Sequence, residues 1–311
     1  MTLTLSQHLA VVVLLVVDVL ARGFRLRALV PMPLARAVGV NICGDAAGAL
    51  TPAQFGADPI RFAAFQRSGV AGSAVVAAFI TEFSVSVVVT AAGVVVLSGL
   101  FAGAAGEFAR RLGALAAPAS VLRALVFVAL PAAVSTALAL RFRHRLPPAL
   151  VHHLRDVWVA VRRRRPSLLA TVGCLTLVSL AARTAVLPIL AAGIPGVKAS
   201  ILIVGSYLLL LGQAVLPTPA GAGGVELGFL AGFSGSLPGR AAGQLLVLWR
   251  FYTLLLAVVA GALMLARAGW LRRAPMAPRA AQDQARSAGR QEPRAGPDLL
   301  PNPAFGASPE V

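Results

Sequence analysis

The sequence predicts an all-α, polytopic bundle of membrane helices in which two helical elements are broken or re-entrant. Of the 311 residues 58% are hydrophobic, the mean hydropathy is +0.82, and only 13% are charged. A soluble domain carries about 25% charged residues, so the outer surface of this chain must face an apolar medium. The net charge of +17 sits mainly between the apolar runs. We therefore attribute it to the positive-inside rule and anionic headgroups, and expect no nucleic-acid partner.

The apolar runs give the predicted membrane segments, since about 20 apolar residues cross a bilayer. These runs cover residues 3–20, 69–101, 119–140, 167–190, 199–216 and 241–266. The first run has no basic residues before it and is followed by Arg22, Arg25 and Arg27. That order favours an uncleaved anchor with its N-terminus outside over a signal peptide.

Basic residues define the predicted orientation. Most of them become cytoplasmic if the loops 22–36, 53–67 and 141–166 and the tail lie inside. This arrangement requires 34–52 and 199–236 to be re-entrant elements approached from opposite faces, with full crossings as the alternative. The transmembrane domain is predicted at 1–268. The Pro/Arg/Ala-rich remainder, 269–311, is predicted to be a disordered cytoplasmic tail. The strong preference for Arg over Lys is typical of a bacterial chain, and we expect the plasma membrane.

The two broken elements share a pattern. Residues 50–58 (the first broken element) and 216–226 (the second broken element) each contain Leu, a Pro-Ala pair, Gly and then a carboxylate. Each precedes a segment with one central charge, Glu82 and Arg250 respectively. Many transporters build a midplane site from inverted repeats with broken helices. The pattern predicts such a repeat, and chance similarity in an Ala/Gly/Pro-rich chain is the alternative.

The second broken element is the sharpest motif. Its prolines remove backbone donors and its glycines permit conformations that other residues avoid. Unpaired backbone groups are not tolerated against lipid, so this segment must line a cavity or be buried in protein. The alternative is a tight interhelical turn, with Glu226 complementing a helix dipole. The motif residues are Pro217, Pro219, Gly221, Gly223, Gly224 and Glu226.

This motif resembles the transmembrane region shared by lysylphosphatidylglycerol synthases and flippase-like relatives. The family signature is similar to Pro-x-Pro-Gly-Gly-x-Gly-x-x-Glu, and Ala220 departs from it. An early family element with Pro, Gly, an acid and Arg resembles Pro52, Gly56, Asp58 and Arg61. A Glu-Arg pair of the family appears as Glu82 and Phe83, and a late Arg-Tyr/Phe element of the family resembles Arg250-Phe-Tyr252. The resemblance covers about residues 10–268 and implies lipid translocation or handling. In the full synthases aminoacyl transfer belongs to a separate soluble domain.

Charged and polar side chains within the apolar segments are the candidate cavity residues, because a charge at the bilayer centre needs a partner or water. The candidates are Glu82, Arg250, Glu226, Arg183, Asp45, Asn41, Asp58 and Arg61. The alternatives are a structural ion pair between Glu82 and Arg250, and an Arg183 that snorkels to the interface. Asp18 is interpreted as interfacial because Arg22 follows closely.

The loop 141–166 is basic and partly amphipathic. Its run Arg162, Arg163, Arg164 and Arg165 suits contact with the inner leaflet, and a topology signal is the alternative. We expect no metal, cofactor or catalytic residue, and hence a transporter rather than an enzyme. The expected partners are membrane phospholipids, and anionic ones in particular. A partner enzyme docked through 141–166 and the tail, or a second copy of the chain, is the alternative.

Overall fold

The computed structural model describes residues 4–52, 54–67, 69–115, 155, 157–159 and 161–267, and these form a helical bundle. The first helices are α1 (Leu5–Leu29), α2 (Leu34–Ala49), α3 (Ala57–Arg67), α4 (Gly72–Leu100) and α5 (Ala102–Leu115). After a gap follow α6 (Pro166–Ala191), α7 (Ala199–Val215), α8 (Gly224–Gly232), α9 (Gly239–Arg250) and α10 (Leu256–Arg267). Within these described residues no strand is present, which confirms the predicted all-α class.

Three long apolar helices among the described residues are able to cross a bilayer: Gly72–Leu100, Pro166–Ala191 and the continuous Gly239–Ala266. They coincide with three of the predicted membrane segments. The shorter apolar helix α7 matches the predicted run 199–216 and is 17 residues long. The predicted segment 119–140 and the tail 269–311 lie outside the described residues.

The structure replaces two predicted loops with helix. Helix α1 continues through Arg22, Arg25 and Arg27 to Leu29, and α3 occupies most of 53–67. The basic residues were assigned to loops because isolated arginines interrupt an apolar run. Here the buried carboxylates of Asp18 and Glu82 neutralise Arg22, Arg25 and Arg61, so the helices continue past them. Those three arginines therefore give no support to the predicted orientation.

Helix α1 packs along α6 on one side and against α2 on another, and α10 packs against α2. The approach of α2 and α10 is close at Gly261, which lies beside the α2 backbone. A Cβ atom placed on Gly261 would lie 2.6 Å from the Ile42 carbonyl oxygen and 2.5 Å from the Ala46 Cβ. A small residue is therefore required at this contact, as at many membrane helix interfaces.

A second region of core joins α5, α7, α8 and α9 through aromatic rings. The Phe229 ring centroid lies 4.8 Å from that of Phe233 and 5.9 Å from that of Trp249, and Phe108 packs edge-on against Phe233. Gly232 of α8 faces the Phe108 ring, where a Cβ would clash. This cluster holds the short helix α8 firmly behind the second broken element.

The last span is not a uniform α-helix. Between α9 and α10 the backbone forms one five-residue π turn, Phe251–Leu255. Single π turns inside α-helices occur frequently at functional sites because the extra residue changes which side chains face inward. Here the turn buries the neighbours Tyr252 and Thr253 together.

Candidate functional site

A cavity of about 300 Å³ lies between α1, α2, α10 and the π turn, with contributions from α6 and α7. Its polar and charged lining residues are Asp18, Arg22, Asp45, Gln54, Arg183, Gln213, Tyr252 and Thr253. The remaining lining is apolar and comes mainly from α1 and α10. The site thus combines four charged side chains with an aliphatic wall, and its volume lies at the lower end of those found for small-molecule sites.

The aliphatic wall reaches the outer surface of the bundle. Val12, Val16 and Leu20 of α1 and Leu256 of α10 line the cavity, yet their exposed fractions are between 39% and 51%. A cavity comes close to the surrounding medium where its lining side chains also face outward. For these apolar helices that medium is lipid.

Arg22 is the central charge of the cavity. Its guanidinium binds Asp18, one turn earlier on α1, at 2.8 Å and also Asp45 of α2. Asp18 is only 3% exposed and accepts a further hydrogen bond of 2.5 Å from Ser179 of α6. Asp18 thus lies inside the bundle, where the charge of Arg22 and the Ser179 hydroxyl stabilise its carboxylate.

Arg183 is the other cation of the cavity. Among the described residues no carboxylate lies within ion-pair distance of it, although it is half-buried. Gln213 of α7 lies 3% exposed in the same lining, and its Oε1 atom has no hydrogen-bond partner in the described part of the chain. The cavity lining therefore includes a cation without a carboxylate partner and a buried amide oxygen without a hydrogen-bond partner, both among the described residues.

Tyr252 of the cavity lining is held by a contact between the π turn and α1. His8 Nδ1 and the Tyr252 hydroxyl lie 2.5 Å apart, and either can donate, depending on the histidine tautomer. Gln7 donates to the carbonyl of Ala192 at 2.5 Å, which also fixes the start of α1 against the end of α6. These polar contacts hold Tyr252 in the lining.

Glu82 is the centre of a separate cluster, the Glu82 cluster (Arg25, Arg61, Glu82). Arg25 of α1 binds one carboxylate oxygen at 2.6 Å, and Arg61 of α3 binds the other at 2.5 Å. Arg25 also donates to the Thr176 hydroxyl of α6 at 3.1 Å. The cluster thus ties α1, α3, α4 and α6 together. Phe83, in the place of the family's arginine, points outward with 71% exposure.

The second broken element is held by Arg250 of α9. The Arg250 Nε donates to Glu226 at 2.7 Å, and its Nη1 donates to the Ala220 carbonyl at 3.1 Å. The other Glu226 oxygen accepts from the Gly223 amide at 2.6 Å. One guanidinium therefore satisfies both the carboxylate and an otherwise free carbonyl of the turn.

The backbone of this turn is left-handed at consecutive residues. Ala220 has φ of 50° and Gly221 has φ of 69°. An L-residue with a Cβ is disfavoured in this region, and glycine is the usual occupant. The departure of Ala220 from the family glycine therefore falls on a position where the backbone favours glycine.

The two broken elements meet. Pro52 and Pro219 form an isolated antiparallel bridge, so the two proline breaks lie side by side. An ion pair follows each break, and the acid and the base have exchanged places between the two pairs. After the first break, Arg61 of the short helix α3 pairs with Glu82 of the next long helix. After the second break, Glu226 of the short helix α8 pairs with Arg250 of the next helix.

Of the predicted candidates, Asp45 and Arg183 line the cavity, while Glu82 and Arg250 belong to the two ion-pair groups just described. Asn41 is buried in α2, and Asp58 of the first broken element is exposed and pairs with Arg61 at 3.4 Å. Gly56 lies where a Cβ would meet the Ala47 carbonyl, a close approach that only glycine permits. The motif residues Pro217, Pro219, Gly221 and Gly223 lie in the turn between α7 and α8, and Gly224 is the first residue of α8.

The basic run is partly outside the bundle. Arg162, Arg163 and Arg165 are exposed, and Arg162 stacks on Trp158. Arg164 is half-buried and donates to the Leu29 carbonyl at 3.4 Å, which places a cation at the end of α1. Most of the loop 141–166 lies outside the described residues, so its predicted contact with the inner leaflet stays a prediction.

Sequence reasoning missed Arg22 and Arg25. A signal was present: Asp18, Arg22 and Arg25 stand at i, i+4 and i+7, which places them on one helical face. Within the described residues no group of three or more His, Cys, Asp and Glu side chains is placed to hold a metal ion.

The chain matches a known family. A family model described as the lysylphosphatidylglycerol synthase TM region matches residues 2–261 of the chain. No curated protein matches the chain. The match covers every helix from α1 to α9 and the first half of α10.

Proposed function

Because the chain belongs to the family of the lysylphosphatidylglycerol synthase TM region, we propose that it is a flippase-like membrane protein that handles phospholipid headgroups. The observation that carries this proposal is the cavity, which combines charged groups inside with an aliphatic wall toward lipid. We expect the headgroup to bind inside and the acyl chains to remain in the bilayer.

Charge and hydrophobicity divide the cavity in the way a phospholipid requires. A headgroup that leaves water loses hydration, and the four charged side chains replace part of it. The exposed aliphatic side chains of α1 and α10 keep the acyl chains in an apolar medium, so the lipid tails lose little hydrophobic free energy. A lipid that enters between α1 and α10 therefore meets charged side chains at its headgroup and aliphatic side chains at its acyl chains.

The broken elements allow helical segments to move against one another. Helices interrupted near the bilayer centre allow one segment to shift against another about a fixed site. In this chain the two breaks touch at Pro52 and Pro219, and one ion pair on each side holds the short helix that follows. We propose that these short helices rearrange when the headgroup passes between the leaflets.

We propose the bacterial plasma membrane as its location, with the tail in the cytoplasm and no catalytic step. The alternative of a scaffold for a partner enzyme depends on the loop 141–166 and the tail. Under that alternative the purified protein would move no lipid.

The proposal is tested by filling the cavity from its lipid side. The full chain is reconstituted in liposomes with phospholipids labelled on an acyl chain, and movement between leaflets is followed by quenching of the outer leaflet. Val16→Trp places an indole in the cavity lining and should lower the rate at least about tenfold.

Val13→Trp is the matched control, because Val13 lies on the same helix, is exposed to lipid and is absent from the cavity lining. Its rate should equal that of the wild type. Equal rates for the two variants, or a wild-type rate no higher than that of empty liposomes, would contradict the proposed function.

A further inference from the structure

We propose that the cavity selects a zwitterionic phosphodiester headgroup with a primary ammonium, the phosphate lying on Arg183 and the ammonium on Asp45. This substrate class rests on the proposed function, since it assumes that a lipid headgroup occupies the cavity. It adds which headgroup chemistry the lining favours.

Arg183 provides the anion site. It lines the cavity from α6 and has no carboxylate partner among the described residues, unlike Arg22 beside it. An isolated cation within an apolar bundle is costly, and a bound anion removes that cost. A guanidinium donates two parallel hydrogen bonds to a phosphate, which a single-point cation does not.

Asp45 provides the cation site. Asp18 and Asp45 share the single cation Arg22, so this group of three carries one net negative charge. The Asp18 side chain is 4% exposed and both its oxygens are bound, by Arg22 and by Ser179. The Asp45 side chain is 31% exposed, and Arg22 binds only its Oδ2 atom. The excess negative charge is therefore accessible at Asp45.

Gln213 distinguishes a primary ammonium from a quaternary one. Its Oε1 atom is buried and unpartnered in the described chain, and leaving a buried acceptor unpaired is unfavourable. A primary ammonium has three N–H donors and can serve both Asp45 and Gln213, whereas a trimethylated ammonium has none. Charge complementarity alone would accept either headgroup, and the acceptors favour the primary amine.

Charge balance disfavours the other headgroups. Two acids and two arginines surround the cavity, so the lining is formally neutral. A zwitterion keeps it neutral and pairs both of its free charges. A headgroup with one net negative charge leaves Asp45 unmatched, and one with an extra ammonium adds a cation for which the lining has no second acid, since Asp18 is already fully bound.

Lipid retention by the full chain tests this selection. The purified protein is exposed to equal amounts of acyl-matched phosphatidylethanolamine, phosphatidylcholine and phosphatidylglycerol, and bound lipids are counted by native mass spectrometry. We expect phosphatidylethanolamine to exceed each of the others by about tenfold, since one hydrogen bond to a charged group contributes about that factor. Soluble phosphoethanolamine in a parallel sample should not displace the lipid at equal concentration.

Variants assign the two ends of the headgroup. Asp45→Asn should bring the ratio of phosphatidylethanolamine to phosphatidylglycerol close to one, and this ratio does not depend on how much protein is folded. Arg183→Gln should lower the retention of all three lipids about tenfold. Arg240→Gln is the control, because Arg240 is exposed and lies outside the cavity lining.

Equal retention of the three lipids by the wild type, or a preference for phosphatidylglycerol, would overturn the headgroup assignment. An unchanged ratio in folded Asp45→Asn would do the same. Displacement by soluble phosphoethanolamine without any lipid preference would overturn the lipid source. These outcomes are separate from the Val16→Trp rate, which tests whether the cavity handles lipid at all.

Discussion

Glu82 is the residue whose replacement should destabilise the fold most clearly. Its carboxylate is 6% exposed and is the acceptor for both Arg25 and Arg61. Glu82→Gln keeps the size and shape of the side chain but removes the negative charge. Two buried guanidinium groups from α1 and α3 would then face each other without an acid between them.

The expected magnitude follows from the burial of the pair. Removing one partner of a buried ion pair costs about 3–5 kcal/mol. Each kcal/mol lowers the melting temperature of a 150–250-residue domain by roughly 2–4 °C, so the fall should be about 6–20 °C. Glu107→Gln is the matched control. Glu107 pairs with Arg111 on α5 and is half-exposed, and such pairs contribute only about 0–1 kcal/mol.

The assay is thermal unfolding of the purified full chain in detergent, followed by tryptophan fluorescence and by aggregation. A third variant separates charge from packing: Arg25→Met, Arg61→Met and Glu82→Leu together remove the whole cluster and should recover most of the lost stability. A melting temperature for Glu82→Gln within error of that for Glu107→Gln would refute the account of this cluster.

Three further results are expected. Gly261→Ala should lower the melting temperature, because its Cβ would lie 2.6 Å from an α2 carbonyl, whereas Gly243→Ala, with nothing within 4 Å, should raise stability by roughly 0.5–1 kcal/mol; the reverse order would contradict the close helix contact. Arg250→Lys should increase hydrogen exchange across the second broken element, since an ammonium cannot replace the forked contacts to its carboxylate and carbonyl; unchanged exchange would argue against this role. Pro52→Cys with Pro219→Cys, with both native cysteines replaced by alanine, should form a disulfide on mild oxidation, because bridged residues in antiparallel strands have Cα atoms about 4.5–5.5 Å apart. Failure to cross-link would place the breaks apart, and lipid movement in the cross-linked protein should be lower and recover on reduction.

Composition and apolar run length were sufficient for the fold class. The long runs around Glu82, Arg183 and Arg250 became α4, α6 and the last span, because a sustained apolar stretch has few alternatives to helix in a bilayer. The second broken element also lies where Pro217 and its glycines predicted it, between α7 and α8. Local chemistry determines both features.

The partners of the charged side chains could not be predicted from the sequence. Glu82 and Arg250 are the central charges of two spans, and a pair between them was a natural alternative. The structure gives them different partners, Arg25 and Arg61 for Glu82 and Glu226 for Arg250. Which acid meets which base depends on helix rotation and on neighbours distant in sequence, and a single chain shows neither.

Some of the cavity residues could likewise be predicted from the sequence, and others could not. Asp45 and Arg183 were candidates because charges in apolar segments are costly. Gln213 and Thr253 carry no such signal, since uncharged polar residues are common in helices. They became part of the site only through the packing of α7 against α6 and of the π turn against α1.

The five-residue turn at 251–255 determines the direction in which each later side chain of the last span faces. Tyr252 must face the cavity while Gly261, less than three helical turns later, must meet the α2 backbone. Deleting one residue between them would rotate the remainder of the helix by about 100° about its axis and carry Gly261 away from α2. Side-chain replacements on the lipid face of this stretch are therefore tolerable, whereas a change in its length is not.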